Sequence, residues 1–194
     1  VKQPVKLWIN AFSKSMMPEK IITRSINNKD VPVFLKRDLT DQIPTLKKQN
    51  LRHGEYANKS IQELFDETLI KTSKVKEVNY TRSCFAWNEG NGKFTISELP
   101  YPLQLSSVNA ILINDVHNDR RPDILLGGNL LDWLPQFSRI DASFGQVLLN
   151  KGNRTWDCLT AGESGVNLNG AVKKIMPIKV QGNQQYIFLR NSEV

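Results

Sequence analysis

Three acidic residues stand at the first, fifth and ninth positions of a short polar segment, where they could bind a hard cation. The segment, residues 115–123, reads Asp-Val-His-Asn-Asp-Arg-Arg-Pro-Asp. Oxygen atoms are the ligands that Ca²⁺ prefers, and oxygen ligands at alternating positions of a tight loop can converge on one ion. Apolar runs at residues 110–113 and 124–126 indicate that the loop joins two buried strands.

A repeated hairpin motif supplies the elements that would position this acidic loop. The pattern N-x-G-N-x-x-aromatic occurs at residues 88–94 and again, 62 residues later, at residues 150–156. Asn and Gly accept the positive φ angles of tight hairpin turns. Each hairpin is followed by a further strand–turn–strand segment, with residues 107–113 matching residues 171–177. Each repeat is therefore expected to supply about four short strands, the content of one propeller blade.

A third copy of the strand–loop–strand segment lies near the N-terminus. Residues 9–21 align with residues 113–125 without a gap, and Ile, Asn and Pro fall in register. Ala11, Ser13 and Ser15 replace ligand-type side chains in this copy, and Glu19 alone keeps a carboxylate. No metal is expected there.

A helical insertion is expected between the N-terminal copy and the first repeated hairpin. A helix is predicted from Asp38 or Thr40 to about Lys48, and a second one starts at Ser60, where Glu63 completes a capping box. The apolar stripe that follows favours packing against the sheet. The predicted organisation is one partial β-propeller region over residues 1–194: blade-like strands in 1–35, a two-helix insertion in 36–74, a blade with the acidic loop in 75–129 and a last blade in 130–194.

Composition and charge argue against several classes of protein. The net charge is +7, from 26 Lys and Arg against 19 Asp and Glu, but the basic residues are spread along the chain without Arg-rich clusters. This pattern favours a solvated surface and indicates no nucleic-acid partner. No apolar run reaches the length of a membrane span, so no transmembrane segment is predicted.

The chain shows no pattern typical of a catalytic site. His53 and His117 are the only histidines, in unrelated contexts, and neither a nucleophile elbow nor a phosphate loop is present. The prediction is that the protein is not an enzyme. Cys84 and Cys158 have no metal-binding spacing, and the sequence leaves open whether they are buried free thiols or a disulfide.

Taken together, these motifs resemble FG-GAP (VCBS-type) repeats, the blade units of integrin-alpha-like β-propellers. The resemblance covers nearly the whole chain and is to proteins related to cartilage acidic protein and to ASPIC/UnbV proteins. It rests on the two hairpins, the acidic loop, and residues 99–107, 127–129 and 141–149. It implies a mainly β fold of antiparallel four-stranded blades. It also implies the C-terminal part of a larger exported protein, located extracellularly, in the periplasm or at the outer-membrane surface.

The resemblance also implies a calcium site in the acidic loop. In such repeats, side chains at positions one, three, five and nine and a carbonyl at position seven bind Ca²⁺. The matching candidates here are Asp115, His117, Asp119, the carbonyl of Arg121, and Asp123. His117 departs from the pattern because imidazole is a poor ligand for Ca²⁺, and Arg120 departs because its charge repels a cation. The open alternative is a loop held without metal, by bonds from Asp115 and Asp123 to loop amides or arginines.

The predicted function is a non-catalytic structural or ligand-binding module at the cell surface. It would bind a protein or glycan through inter-blade loops, and it would pack on the remaining blades of its parent protein, since propellers need about four to eight blades. Trp133 and Phe137 are the binding candidates, unless they pack beneath their own loop. The alternative function is an accessory or catalytic propeller part of a polysaccharide-degrading enzyme.

Overall fold

The computed structural model describes residues 3–49, 52–133 and 137–191. The chain divides into two compact units, Unit 1 (Val1–Thr81) and Unit 2 (Arg82–Val194). The expected mainly β class is confirmed, since 45% of the chain is strand and 19% helix and the sheets are antiparallel.

Unit 1 contains a four-stranded antiparallel sheet in the order β3-β2-β1-β4. Its strands are β1 (Val5–Asn10), β2 (Glu19–Ile26), β3 (Lys29–Pro32) and β4 (Lys74–Val78). Asn27 and Asn28 join β2 to β3 with φ angles of 50° and 61°, as a two-residue hairpin turn requires.

The described residues between β3 and β4 form five short helices, so the predicted number of two is wrong. They are α1 (Lys36–Gln42), α2 (Leu46–Gln49), α3 (His53–Ala57), α4 (Ile61–Leu64) and α5 (Glu67–Thr72). The first predicted helix is interrupted after Ile43 because the residue before Pro44 is disfavoured in the helical region. The predicted capping box is confirmed: the Ser60 side chain accepts from the Glu63 amide, and the Glu63 carboxylate accepts from the Ser60 amide.

One face of the Unit 1 sheet packs on these helices. Trp8, Phe12 and Ile21 from the sheet side form a buried cluster with side chains from the helices and their connections. The members from that side are Leu39, Ile43, Leu46, Tyr56, Ile61 and Leu64. The helices thus serve as the second layer of Unit 1.

Unit 2 is built from eight strands in the described residues. They are β5 (Cys84–Gly90), β6 (Lys93–Glu98), β7 (Val108–Asn114), β8 (Asp123–Gly128), β9 (Gln146–Gly152), β10 (Thr155–Leu159), β11 (Ala171–Val180) and β12 (Asn183–Asn191). A 3₁₀ helix (Tyr101–Gln104) precedes β7, and α6 (Ala161–Ser164) follows β10. Strands β7 to β10 form one up-and-down sheet, while β5–β6 and β11–β12 are separate hairpins.

The two hairpins of Unit 2 pack on opposite faces of its four-stranded sheet, and the β5–β6 hairpin leaves part of its face open. Phe85 of β5 packs with Ile124 and Leu148 on one face. Val172 and Ile175 of β11 pack with sheet residues such as Leu125 on the other. Unit 2 is therefore a stack of three β layers.

The repeated hairpin motif has the same geometry in both copies, which confirms that prediction. The side chains of Asn88 and Asn150 accept hydrogen bonds from the amides of Gly90 and Gly152, each at 2.9 Å. Both glycines have positive φ, 84° and 82°, and both ladders shift register at this point. The motif thus specifies a bulged hairpin with a two-residue turn.

No propeller is identified, and the four-stranded sheets fit blades only loosely. The β7–β10 sheet is a plain meander, as a blade is. In Unit 1, however, the chain leaves β3, forms the helices and returns to pair β4 with the far edge of β1. That connection does not belong to a simple four-stranded meander.

Candidate functional site

The acidic loop joins the ends of β7 and β8, whose ladder finishes with the pair Asn114 and Asp123. Asn118 and Arg120 have positive φ angles of 61° and 68°, and these fold the loop back over its own carboxylates. A residue other than Gly or Asn is costly in this region, so Arg120 is held there by the bonds of the loop.

Asp123 is the buried anchor of the acidic loop, with none of its surface exposed. Its Oδ2 atom accepts from the Val116 amide at 2.9 Å and lies 2.7 Å from His117 Nδ1, and its Oδ1 atom accepts from the Asn150 amide at 2.9 Å. Burial raises the pKa of Asp123, but the bonds from Asn150, His117 and Val116 outweigh it, and the net pKa is lowered. Asp123 therefore ties the loop to β9.

The other two acids bind within the loop itself. Asp115 accepts from the amides of Asp119 at 3.1 Å and Arg120 at 2.8 Å. Asp119 accepts from the Arg121 amide at 2.9 Å and from Arg121 Nε at 2.6 Å, and its Oδ2 atom lies 2.9 Å from His117 Nε2. Arg121, predicted to offer its carbonyl to an ion, engages the loop through its amide and guanidinium.

His117 lies between two carboxylates, one at each ring nitrogen. A neutral imidazole can donate from only one nitrogen, so this position favours the imidazolium. The pKa of His117 is accordingly raised, chiefly by the hydrogen bond to Asp123, although desolvation opposes this. When His117 is protonated, the loop therefore carries its own cation among the acids.

Three of the predicted ligands, Asp115, His117 and Asp123, could hold a metal ion. Each offers one ligand atom, and these three atoms all lie within 4.8 Å of one another. The mixed oxygen and nitrogen donors do not specify calcium. An ion here would compete with the proton on His117 and with the amide bonds of Asp115. Calcium binding therefore stays a prediction.

The matching loop of Unit 1 has the same framework with different chemistry. Glu19 takes the place of Asp123 and accepts from the Ser13 amide at 3.3 Å, the Ser13 hydroxyl and the Ser15 hydroxyl at 3.0 Å. Lys14 has φ 61°, the same value as Asn118 at the aligned position. The gap-free alignment of the two loops is thus reflected in their backbones.

A second candidate site, an apolar groove of about 420 Å³, lies on the β5–β6 side of the Unit 2 sheet. Its lining includes Phe85, Trp87, Ile113, Trp156 and Arg154. The rings of Phe85 and Trp156 are stacked with centroids 5.1 Å apart, and the Arg154 guanidinium lies over Trp87 at 5.2 Å. Arg154 also pairs with Glu89.

Exposed aliphatic side chains extend this groove along β7. Ile111 is 61% exposed and Ile113 is 64% exposed, although both lie in a strand whose alternate residue Ala110 is buried. The apolar groove together with Ile111 and Ile113 is called the apolar face below. The apolar face was not predicted from the sequence. A signal was present, because residues two apart in a strand lie on the same side, as Phe85 and Trp87 do, and as Ile111 and Ile113 do.

The predicted binding pair, Trp133 and Phe137, is brought together outside the apolar groove. Their ring centroids are 5.9 Å apart in an edge-to-face arrangement, and Trp133 is 45% exposed. The intervening part of that predicted binding loop, residues 134–136, lies outside the described residues. Cys84 and Cys158 are free thiols, each partly buried.

Comparison with known proteins finds no matching family, no matching curated protein and no matching solved structure. Within the described residues, no helix is long and apolar enough to cross a membrane. The function must therefore be inferred from the chain's own geometry.

Proposed function

We propose that Unit 2 is a non-catalytic protein-binding module that docks another polypeptide on its apolar face. The exposure of Ile111 and Ile113 carries this proposal. Adjacent large aliphatic side chains beside an aromatic groove are typical of an interaction surface, because soluble chains rarely leave such patches open.

The internal repeat supports the same conclusion. Ile111 aligns with Ile175, and the two occupy matching places in their hairpins, since Ile111 pairs with Leu126 and Ile175 with Phe188. Ile175 is only 6% exposed because it packs against the neighbouring sheet. The contrast indicates that the Ile111 position is built to be covered by protein.

A glycan is the second candidate ligand. Trp87 carries the Arg154 guanidinium over its ring, and Asn150 and Asn153 also line the groove; aromatic rings beside polar groups suit a sugar. The nearly apolar lining and the aliphatic extension along β7 favour a polypeptide. In either case, the resemblance to FG-GAP repeats supports a module on an exported protein acting at a cell surface.

The test is a parallel screen of the purified chain against a displayed library of random peptides and a glycan array. We expect peptides rich in aliphatic and aromatic residues to bind, and Ile113→Lys to weaken them about tenfold, equivalent to about 1.4 kcal/mol. Ile26→Lys is the matched control, because Ile26 is an exposed strand residue of Unit 1. Glycan hits alone would replace the proposed ligand class, and peptide binding that ignores Ile113→Lys would remove the apolar face as the site.

A further inference from the structure

Unit 2 contains one complete example of how consecutive repeats stack. The β7–β8 and β11–β12 segments are copies of one element, and one side of the later copy packs on one side of the earlier copy. Val172 and Ile175 from β11 meet Ala110 and Leu125 from β7 and β8 in a single buried cluster. This contact is called the stacking contact below.

The stacking contact uses opposite sides of the repeated element. The earlier copy contributes the side that bears Ala110 and Leu125, and the later copy contributes the side that bears Ile175. Ile111 lies on the side of the earlier copy that corresponds to Ile175. The apolar face is therefore the surface on which a preceding copy would stack in the same way.

The other end of the stack is also apolar. Met176 pairs with Ile187, and successive residues point to opposite sides of a strand, so both lie away from Ile175 and Phe188. Ile187 is 37% exposed and Leu189 is 46% exposed on this outer side of β11–β12. We call this outer side of β11–β12 the Leu189 side. It corresponds, by position in the repeat, to the side of β7–β8 that carries Ala110 and Leu125.

In Unit 1 the corresponding side of the repeat is already covered. Trp8 and Ile21 align with Leu112 and Leu125, and both are buried against the helices. The helical insertion thus occupies the place of a following repeat. Unit 2 differs, because its Leu189 side and its apolar face are exposed.

We propose that the Leu189 side of one copy of this chain docks on the apolar face of a second copy, repeating the stacking contact between molecules. This assignment rests on the proposed protein-binding role and names the partner. The two surfaces differ, so the contact is head-to-tail, and an open assembly keeps one surface of each type free at its ends. Association should therefore continue beyond a dimer as concentration rises.

Two end-blocked variants of the full chain test this arrangement by analytical ultracentrifugation. The first carries Ile111→Lys with Ile113→Lys, and the second carries Ile187→Lys with Leu189→Lys. We expect the unmodified chain to show a mass that increases with concentration, and each variant alone to be a monomer. An equimolar mixture of the variants should form a heterodimer and stop there, because each partner supplies one intact surface.

Ile26→Lys is again the control and should associate like the unmodified chain. Circular dichroism checks that the variants fold, and serine replacements at the same four exposed positions serve if lysine prevents folding. A chain that remains a monomer at all concentrations overturns self-stacking, as does a mixture that forms no heterodimer. If peptide binding sensitive to Ile113→Lys persists in that case, the protein-binding role stands and only the identity of the partner is lost.

Discussion

At the residue scale, His117 places a positive charge between two carboxylates of the acidic loop whenever its ring is protonated. Its ring bridges Asp119 and Asp123, and the Arg121 guanidinium contacts the same Oδ2 atom of Asp119 as His117 does. The surrounding amides complete the bonding of Asp115 and Asp123. The loop can therefore keep its shape by protonation of one histidine.

This arrangement predicts a pH dependence of folding with a definite sign. The folded state raises the pKa of His117 above its ordinary value, through the Asp123 bond first. Its stabilising contribution is then complete below the unfolded-state pKa of about 6.5 and is lost as pH rises through the higher folded-state pKa. We expect the free energy of unfolding, measured in urea, to decrease as the pH is raised from about 6 to 8.

His117→Gln should remove this decrease, and His53→Gln is the matched control that should keep it. Asp119 and Asp123, whose pKa values are lowered, lose their contributions only in acid, below the ordinary range of a carboxyl group. The two effects therefore fall in separate pH windows. An unchanged slope in His117→Gln would contradict the bridging role of His117.

The sequence predicted which side chains of the loop would be near each other but not how they pair. Spacing alone places Asp115, Asp119 and Asp123 on one tight turn. The direction of Asp119 depends on the positive φ angles of Asn118 and Arg120, which turn its carboxylate towards Arg121. Such a choice arises from the backbone path, and no residue pattern encodes it directly.

At the scale of single elements, local hydrogen bonding explains why the sequence predicts the hairpin positions better than the number and length of the helices. A hairpin motif is closed by bonds between neighbours, as Asn88 and Asn150 show with their glycine amides. The helical segment has a suitable apolar pattern, but Pro44 breaks it. Phe65 also adopts an extended backbone before α5 begins. The spacing of apolar residues therefore predicts fewer and longer helices than the structure contains.

Asn129 connects the ends of several elements in Unit 2 and is 1% exposed. Its Oδ1 atom accepts from the Ser143 amide and the Ser106 hydroxyl, both at 2.8 Å. Its Nδ2 atom donates to the carbonyls of Ser143 at 2.7 Å and Gly170 at 3.0 Å. One side chain therefore joins the start of β7, the end of β8 and the loops before β9 and β11.

Asn129→Asp should destabilise Unit 2 strongly. The substitution removes the donor that faces two carbonyls and places a carboxylate in a buried position, which typically costs about 3–5 kcal/mol when a buried charge is left unpaired. Asn109→Asp is the control, because Asn109 is exposed and its side-chain amide donates to the backbone carbonyl of Asn129 at 2.6 Å. Urea unfolding of the two variants measures the difference, and equal losses would argue against a special role for Asn129.

At the scale of the whole molecule, the repeat occurs in both units, but its strands are covered differently in each. The sequence predicted the mainly β class of the fold, which the structure confirms. It did not reveal that the helices bury the side of β1 and β2 that bears Trp8 and Ile21. Whether an insertion covers a stacking surface depends on tertiary packing, and for this reason the blade-by-blade prediction matches the sheets only loosely.

The hydrophobic clusters of the described residues predict two separate cooperative units. One cluster lies wholly in Unit 1, and the other two lie wholly in Unit 2. Leu39 and Leu148 are each fully buried in their own unit. A substitution that removes core contacts should therefore weaken the unit that contains it, because each of these buried clusters draws its side chains from one unit.

Hydrogen exchange measured by mass spectrometry tests this independence, since each peptide reports on one unit. Leu39→Ala and Leu148→Ala should each cost about 2–5 kcal/mol through lost contacts and cavity formation. We expect faster exchange in residues 3–81 for the first variant and in residues 82–191 for the second, with the other unit unchanged. If either substitution accelerated exchange throughout the chain, the units would unfold together, and a coupling between them beyond their separate cores would be required.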